Sequence, residues 1–326
     1  MRITESLVVA TCIMQTMAWS PSRAVRPRII GSRSVKCAAL TAADASATLA
    51  AAQAKTVAEI CESLPELTEK ADASWTESDG QTICGAPATL AAFDAPGRPN
   101  VAWMSSVTVE AYLCSLTVLI GPLTDVPHLV SRCALNSDDG TLSLFIDWRP
   151  RAYGAYEMRQ EDGSYPGPDV LGREAFTYSG ARTNMEKKFF TPDLEAFVAS
   201  TRESLGVPDV QAHDLSPPEV SVRGPLAIDI RGVPLTEASI KAVVEARVEA
   251  AKLWLGWQLD YEAHAHRPGA PVNSQYVFDT PMKQNMYTSL LDTFTTDLFK
   301  NDSSEAAKLA AADSGPLDEA YVGGAS

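Results

Sequence analysis

The sequence predicts an α/β protein, a three-layer α/β/α sandwich with a central antiparallel sheet. Three observations lead to this prediction. Four strand-like runs follow one another between residues 101 and 148 and are joined by short turns, which is typical of an antiparallel meander. An amphipathic helix is predicted before the meander, and further helices are predicted after it. Because an apolar sheet face must be covered, helices before and after the meander favour a helical layer on each face.

The hairpin at residues 124–151 is the clearest element of the predicted sheet. Apolar and polar residues alternate on both sides of a polar turn that ends in glycine, as in two strands joined by a tight connection. The runs 101–106 and 107–120 precede this hairpin and complete the meander. A further strand is predicted at 220–230, whereas the stretch 81–100 is rich in glycine and proline and is predicted to be a loop.

The helices are predicted from apolar side chains at helical spacing and from the residues at their ends. Pro65 limits the first helix, because proline does not continue a helix. Thr191 followed by Pro192 opens the second in the order expected of a cap and a first helical residue. Thr236 is the expected N-cap of the longest helix. The predicted helices cover residues 38–70, 193–206, 235–260 and 286–299.

The composition excludes several classes of protein. The chain has 326 residues, is 45% hydrophobic and carries a formal net charge of −14. An acidic chain is a poor partner for nucleic acid, whose phosphates need a face of lysine and arginine. Its apolar runs are too short to span a membrane. The six cysteines are scattered without metal-ligand spacing, which favours reduced thiols over a disulfide framework or a metal site.

The first 45 residues resemble a targeting leader. Residues 1–19 contain a short apolar run behind Arg2, like a signal peptide, and residues 20–45 are rich in serine and arginine, like a transit peptide. The two together predict import into a plastid, and a secretory signal with a basic propeptide is the alternative. Residues 46–300 are then predicted to form a single domain, and residues 301–326, which are acidic and rich in alanine and glycine, a flexible tail.

Four sequence blocks, in order, resemble red chlorophyll catabolite reductase, a plastid enzyme of the ferredoxin-dependent bilin reductase family. Their order and spacing carry the resemblance, since each block alone is weakly specific. Together they cover roughly residues 120–300, most of the predicted domain. The blocks are Asp125-Val-Pro-His128, residues 142–147 followed by Pro150-Arg151, Val222-Arg223-Gly-Pro-Leu-Ala227 with Ala250-Ala-Lys252 in the following helix, and residues 277–299.

This resemblance implies a fold, a reaction and partners. The implied fold is an antiparallel sheet between helical layers. The implied reaction is the reduction of an open-chain tetrapyrrole during chlorophyll breakdown, with reduced ferredoxin as the electron donor. No bound cofactor is implied, because the pigment itself accepts the electrons in a pocket between the sheet and the C-terminal helices. The protein must supply protons from side chains within hydrogen-bond reach of the pigment.

The chain departs from the family pattern where these proton donors are expected. Arg132 occupies the strand position at which the family has a glutamate, and arginine is a poor proton donor because its pKa is above 12. The family also has an aspartate in the C-terminal loop. The aligned position in this chain lies near Gln275, and Asp279 is offset from that position. His128 and Asp279 are therefore the predicted catalytic residues. Two alternatives stay open: a non-catalytic tetrapyrrole-binding or scaffold protein of the photosynthetic apparatus, and, more distantly, a bilin lyase.

The remaining candidates would contact the substrate. Arg132 is expected to pair with a propionate, since a guanidinium matches a carboxylate, and an exposed strand arginine is the alternative. Asp147 and Arg151 are predicted substrate contacts or, more simply, a local pair at the strand end. His128 could instead cap the strand entry, and Asp279 could cap a turn. Ferredoxin is acidic, so a basic face is also expected. Its candidate residues are Arg149, Arg151, Arg182, Lys187 and Lys188.

Overall fold

The computed structural model assigns residues 39–326 to one compact unit. The described residues are 40–76, 79–95, 101–120, 126–149, 185–186, 188–210, 215–260, 287–291, 294 and 303–315.

One antiparallel sheet of eight strands forms the centre of this unit. Its order is β1-β3-β4-β5-β6-β7-β8, with β2 paired to β3, and every pairing is antiparallel. This arrangement confirms the predicted class and the antiparallel sheet. The strands are β1 (Thr68–Glu69), β2 (Thr82–Ile83), β3 (Ala86–Asp94), β4 (Val101–Val109), β5 (Leu113–Ile120), β6 (His128–Asn136), β7 (Thr141–Arg149) and β8 (Ile228–Pro234).

Helices lie on both faces of the sheet, because successive side chains of a strand point to opposite faces. One face, called the α1 face, packs against α1, α2 and α4 through residues such as Leu116, Leu129 and Ile146. The other, called the α5 face, packs against α5 through residues such as Trp103 and Val107. The helices are α1 (Ala42–Ser63), α2 (Pro192–Leu205), α3 (Pro217–Val222), α4 (Glu237–Leu259) and α5 (Ser303–Ser314).

Threonine caps three of the helices, and the sequence predicted two of these caps, Thr191 and Thr236. Thr191 precedes α2, and its side chain accepts a hydrogen bond from the backbone N–H of Leu194. Thr236 precedes α4 and forms a capping box with Ser239. Thr41 caps α1 in the same way and accepts from the N–H of Asp44. These side chains bond N–H groups that have no partner inside the helix, and they fix where each helix begins.

Polar side chains of α1 and α4 attach both helices to the α1 face. Gln53 donates to the carbonyl oxygens of Val107 (3.1 Å) and Ser115 (2.9 Å). Arg247 donates through Nε to the hydroxyl of Ser131 (3.0 Å) and through Nη2 to Gln53. All these groups are buried, so the hydrogen bonds offset the cost of removing them from water.

Three strand predictions need correction. Residues 81–100 were expected to be a loop, but Ala86–Asp94 form β3, in which Ala88, Leu90 and Ala92 alternate inward. Proline is tolerated there because Pro87 lies at the start of the strand. The run 107–120 contains a turn and belongs to two strands. The start of the predicted strand 220–230 is helical, and β8 begins at Ile228.

The two ends of the predicted domain also need correction. Residues 42–45 were placed in the leader but form the first turn of α1, and Ala45 is fully buried. Residues 303–314 were placed in a flexible tail but form α5, whose Ala306, Leu309 and Ala310 are fully buried. Their acidic and alanine-rich composition suggested disorder, yet alanine is the best helix former and packs closely on a sheet. Residues 1–39 lie outside the described part.

Two further findings concern cysteines and membrane helices. Within the described ranges, Cys61, Cys114 and Cys133 are free thiols. A search of the helices in those ranges finds none with the length and hydropathy that crossing a membrane requires.

We expect Leu309→Ala to lower the free energy of unfolding by about 2–5 kcal/mol, because the change leaves a cavity under α5. Leu259→Ala is the matched control. Leu259 is 58% exposed, and its truncation should change stability by about 0.5 kcal/mol or less. Urea unfolding of both variants measures the difference. Equal losses would show that α5 is not part of the folded core.

Candidate functional site

A cluster of buried ionisable side chains lies on the α5 face, where β6, β7 and β8 meet α3 and α5. Strand alternation brings the members together, because β6 and β7 pair with His128 opposite Arg149 and Arg132 opposite Phe145. Charged groups are rarely buried unless they are paired, so a concentration of them marks this part of the sheet. The members are Arg132, Asp147, Arg149, Glu219, Asp229 and Asp313, and all are buried.

Arg149 and Glu219 form the centre of the cluster. Nη2 of Arg149 donates to both carboxylate oxygens of Glu219, at 3.2 and 3.0 Å. Ser289, in helical residues 287–291, also donates to Glu219. Burial opposes ionisation of Glu219, but Arg149, Ser289 and Arg132 together outweigh it and hold the pKa of Glu219 below its usual value. Glu219 therefore stays charged, as the counter-ion of Arg149.

Asp147 is a carboxyl group of the cluster that keeps its proton to a higher pH than an exposed aspartate. It accepts hydrogen bonds from the backbone N–H of Gly224, at 3.0 and 3.2 Å, and lies 3.2 Å from Nε of Arg149. Complete burial is the main cause that raises the pKa of Asp147 to about 6, and the charge of Glu219 adds to the shift. Arg149 and the Gly224 N–H oppose it. Asp147 can therefore exchange a proton near neutral pH.

Gly224 allows this close approach of α3 to β7. A Cβ atom at residue 224 would lie 2.4 Å from Oδ1 of Asp147 and 2.4 Å from the carbonyl oxygen of Trp148. Any other residue would push the N–H away from the carboxyl group. This requirement explains the glycine of the block 222–227.

Arg132 is buried beside two aromatic rings and a distant carboxylate. It is only 8% exposed. Its guanidinium carbon lies 5.0 Å from the ring centre of Phe145 and 5.6 Å from that of Phe294. The nearest carboxylate oxygen, Oδ2 of Asp313, is 3.8 Å from Nε, too far for a hydrogen bond. Within the described ranges, Nε of Arg132 is buried without a hydrogen-bond partner.

Asp313, at the end of α5, is bound to the centre of the sheet. Its Oδ1 accepts hydrogen bonds from the hydroxyls of Ser115 (2.7 Å) and Thr117 (3.1 Å), and its backbone carbonyl accepts from Ser105 (2.7 Å). Three hydroxyls from β4 and β5 thus hold the end of α5 in place.

His128 lies at the entry to β6 and is also buried. Its Nδ1 accepts a hydrogen bond from the backbone N–H of Ile120, at 2.8 Å. Because Nδ1 is an acceptor, a neutral ring carries its proton on Nε2. This hydrogen bond fits the alternative in which His128 caps the entry to the strand. The catalytic role of His128 stays a prediction.

The predicted site residues are brought together only in part. His128, Arg132 and Asp147 share the α5 face, because the register of the hairpin puts their side chains on the same side of the sheet. Arg132 was alternatively expected to be an exposed strand arginine, and this alternative is wrong because the side chain is buried. Asp147 forms its ion pair with Arg149. Arg149 is 1% exposed and cannot belong to a basic docking face. Asp279 and Arg151 lie outside the described residues, as do Arg182 and Lys187, so their roles stay predictions.

The sequence reasoning missed Glu219 and Asp313. Glu219 lies in a stretch taken for the approach to a strand, although Pro217 and Pro218 after Ser216 resemble a helix start. Asp313 was assigned to the tail. The helical spacing of alanine and leucine at residues 306, 309, 310 and 312 could have revealed α5.

Among the residues the structure describes, no group of three or more His, Cys, Asp or Glu side chains could hold a metal ion.

Comparisons with known proteins give little further guidance. No protein-family model matches the chain, and none of the curated proteins matches it. Among solved structures, phytochromobilin synthase from tomato, in complex with biliverdin, is similar at a TM-score of 0.46 and 12% sequence identity. The similarity covers 81% of this chain and 84% of that one. Values this low assign neither a family nor an activity to this chain.

We expect Asp147 to titrate with a midpoint of about pH 6, visible by infrared spectroscopy as a protonated carboxyl that disappears as the pH rises. Since the ordinary pKa is about 4, the folded chain holds this proton more tightly than the unfolded chain between about pH 4 and 6. The free energy of unfolding should therefore fall, by on the order of 2 kcal/mol, as the pH rises through that window.

The Asp147→Asn variant should lack both the infrared band and this component of the pH dependence. Asp139→Asn is the control, because Asp139 is an exposed residue of the β6–β7 turn, and it should keep both. A band that persists in Asp147→Asn would assign the titration to another carboxyl group.

Proposed function

We propose that the protein binds an open-chain tetrapyrrole on the α5 face and reduces it with electrons from reduced ferredoxin. The observation that carries this proposal is the pairing of two groups on one face: a buried guanidinium without a hydrogen-bonded carboxylate, Arg132, and a buried carboxyl that exchanges its proton near neutrality, Asp147. The sequence blocks that resemble red chlorophyll catabolite reductase contribute both the hairpin and the glycine that supports Asp147.

Arg132 and Asp147 are close enough to act on one ligand. Arg132 is directly opposite Phe145, and Asp147 is the next residue of β7 on the same face. Such diagonal neighbours lie about 7–8 Å apart. A pigment of four linked pyrrole rings, with acidic propionates and basic or carbonyl-bearing ring edges, can span that distance and contact both groups.

The reaction consumes two electrons and two protons for each double bond that is reduced. Two molecules of reduced ferredoxin would each supply one electron and become oxidised. Asp147 would transfer its proton to the pigment radical and become a carboxylate, which Arg149 and the N–H of Gly224 stabilise. Solvent or a second side chain would return a proton to Asp147 and supply the other proton of the reaction.

His128 is less suited to this step than Asp147. A neutral imidazole that gives up its Nε2 proton would become an anion, which is unfavourable near neutral pH. A doubly protonated ring could donate, but protonation of Nδ1 would break the bond from Ile120. His128 therefore serves better as a group that positions the pigment, with Asp147 as the proton donor. Asp279 stays a predicted catalytic residue.

A non-catalytic pigment-binding protein is the second candidate. Arg132 favours it, because the related reductases have a proton-donating glutamate where this chain has a guanidinium. Plastid import through residues 1–45 and association with a photosynthetic complex remain further parts of the proposal, and both fit either candidate.

The deciding assay is anaerobic and supplies reduced ferredoxin with red chlorophyll catabolite or biliverdin. We expect conversion of the pigment, followed by absorbance and chromatography. Asp147→Asn should lower turnover by about 100-fold or more, since general acid catalysis contributes that much, while pigment affinity changes little. Asp139→Asn is the matched control and should leave turnover unchanged.

The two candidates give different results in this assay. Pigment binding without conversion by the unchanged protein would establish the non-catalytic candidate. The absence of binding to either pigment would refute both.

A further inference from the structure

We infer that Asp313 is a specificity-determining residue: it is the resident counter-ion of Arg132 and limits how strongly that guanidinium binds a carboxylate of the ligand. The inference rests on the proposed function, because it concerns the same face of the sheet and takes the ligand to carry a propionate. It adds a residue from the end of the chain that no sequence block of the site contains.

Asp313 is held too far from Arg132 to form a hydrogen bond with it, although the two side chains carry opposite charges. Its Oδ1 and backbone carbonyl are bound by hydroxyls of the sheet, and the residue is 0% exposed. Its Oδ2 faces Nε of Arg132 across 3.8 Å. Among the described residues, neither atom has a hydrogen-bond partner. The two charges therefore attract each other without forming the hydrogen bonds of a normal arginine–carboxylate pair.

The helix that carries Asp313 cannot easily move closer. The backbone N–H of Cys84 donates to Glu305 (2.9 Å), and Lys308 donates to the carbonyl of Thr82 (2.7 Å). After the helix, Gly315 has a φ of +75°, and a Cβ there would lie 2.8 Å from the ring of Trp103. Anchors at both ends of α5 thus set the position of the carboxylate.

Arg132 is confined by packing on its side of the gap. Phe145 and Phe294 lie near the guanidinium, and burial restricts its rotamers. A propionate that approaches this guanidinium could accept a hydrogen bond from Nε of Arg132, which has no acceptor among the described residues. The propionate would also lie close to the negative charge of Asp313. Like charges in a buried site repel strongly, so Asp313 weakens the affinity for the acid relative to an uncharged form of the same ligand.

Asp313→Asn isolates this effect. The amide oxygen can take the place of Oδ1 and accept from Ser115 and Thr117, while the amide nitrogen replaces Oδ2, which forms no hydrogen bond within the described ranges. The charge is removed and the known hydrogen bonds are kept. Glu305→Gln is the matched control, because it removes the same charge from the same helix about 12 Å further along. Its amide oxygen can still accept the hydrogen bond from the N–H of Cys84, so the anchor of α5 is kept.

The experiment compares biliverdin with its dimethyl ester, in which both propionates are uncharged. Dissociation constants are measured by absorbance titration of the full chain. We expect Asp313→Asn to bind biliverdin roughly tenfold more tightly than the unchanged protein. The dissociation constants of the variant and of the unchanged protein for the dimethyl ester should agree within about twofold. Glu305→Gln should change neither. In an Arg132→Gln background, Asp313→Asn should lose its effect on biliverdin, as a double-mutant cycle requires for coupled residues.

A second measurement does not need the pigment. Sodium propionate should raise the melting temperature of Asp313→Asn more than that of the unchanged protein or of Glu305→Gln, because a ligand that binds the folded state stabilises it. If neither pigment binds, the proposed function fails and the propionate result alone decides the role of Asp313.

The inference is overturned if Asp313→Asn changes the affinities for biliverdin and the ester equally, or changes neither, or responds to propionate like the unchanged protein. A purely structural Asp313 would give the first of these results. Should the asparagine variant fail to fold, Asp313→Ser removes the charge with a smaller side chain that keeps a hydroxyl, and the same comparisons apply.

Discussion

The register between β6 and β7 determines which ionisable groups of this protein meet. Side chains of a strand alternate between faces, so a slip of β6 by one residue would move Arg132 to the α1 face and separate it from Asp147 on β7. The α1 face holds the register. Buried leucine and isoleucine side chains of both strands pack there against α1 and α4, and Arg247 bonds Ser131 from above. Packing on one face thus fixes the chemistry of the other.

The charges on the α5 face are tolerated because each is compensated differently. Arg149 donates through Nη2 to both carboxylate oxygens of Glu219, and Arg223 donates to Asp229 at 3.0 Å. Asp147 reduces its own cost by holding a proton up to higher pH than an exposed aspartate. Arg132 has the weakest compensation, a carboxylate beyond hydrogen-bond distance and two rings. A buried guanidinium in that state is costly for the folded chain, which is why it is the most informative side chain of the site.

The sequence allowed the local parts of this arrangement to be predicted and concealed the distant ones. The β6–β7 hairpin and the capped helices α2 and α4 depend on residues that are neighbours in the chain, and their patterns were readable. Glu219 and Asp313 reach the site only through tertiary packing. The helix α5 was hidden by alanines and acids that also suit a disordered tail, and β3 by prolines and glycines at its ends. Burial of Arg132 and Arg149 could not be read from a strand pattern that treats every arginine as facing water.

The start of α1 supports both its own first turn and the bend between β4 and β5. The side-chain oxygen of Thr41 accepts a hydrogen bond from the free N–H of Asp44 in the first turn, and the hydroxyl oxygen of Ser46 accepts from the N–H of Ala111 at 3.1 Å. Ala111 has a φ of +58° in the tight connection between β4 and β5, a conformation that needs outside support in a residue with a side chain. Proteolytic cleavage within the first turn of α1 would therefore uncap the helix and remove the support of the bend between two central strands.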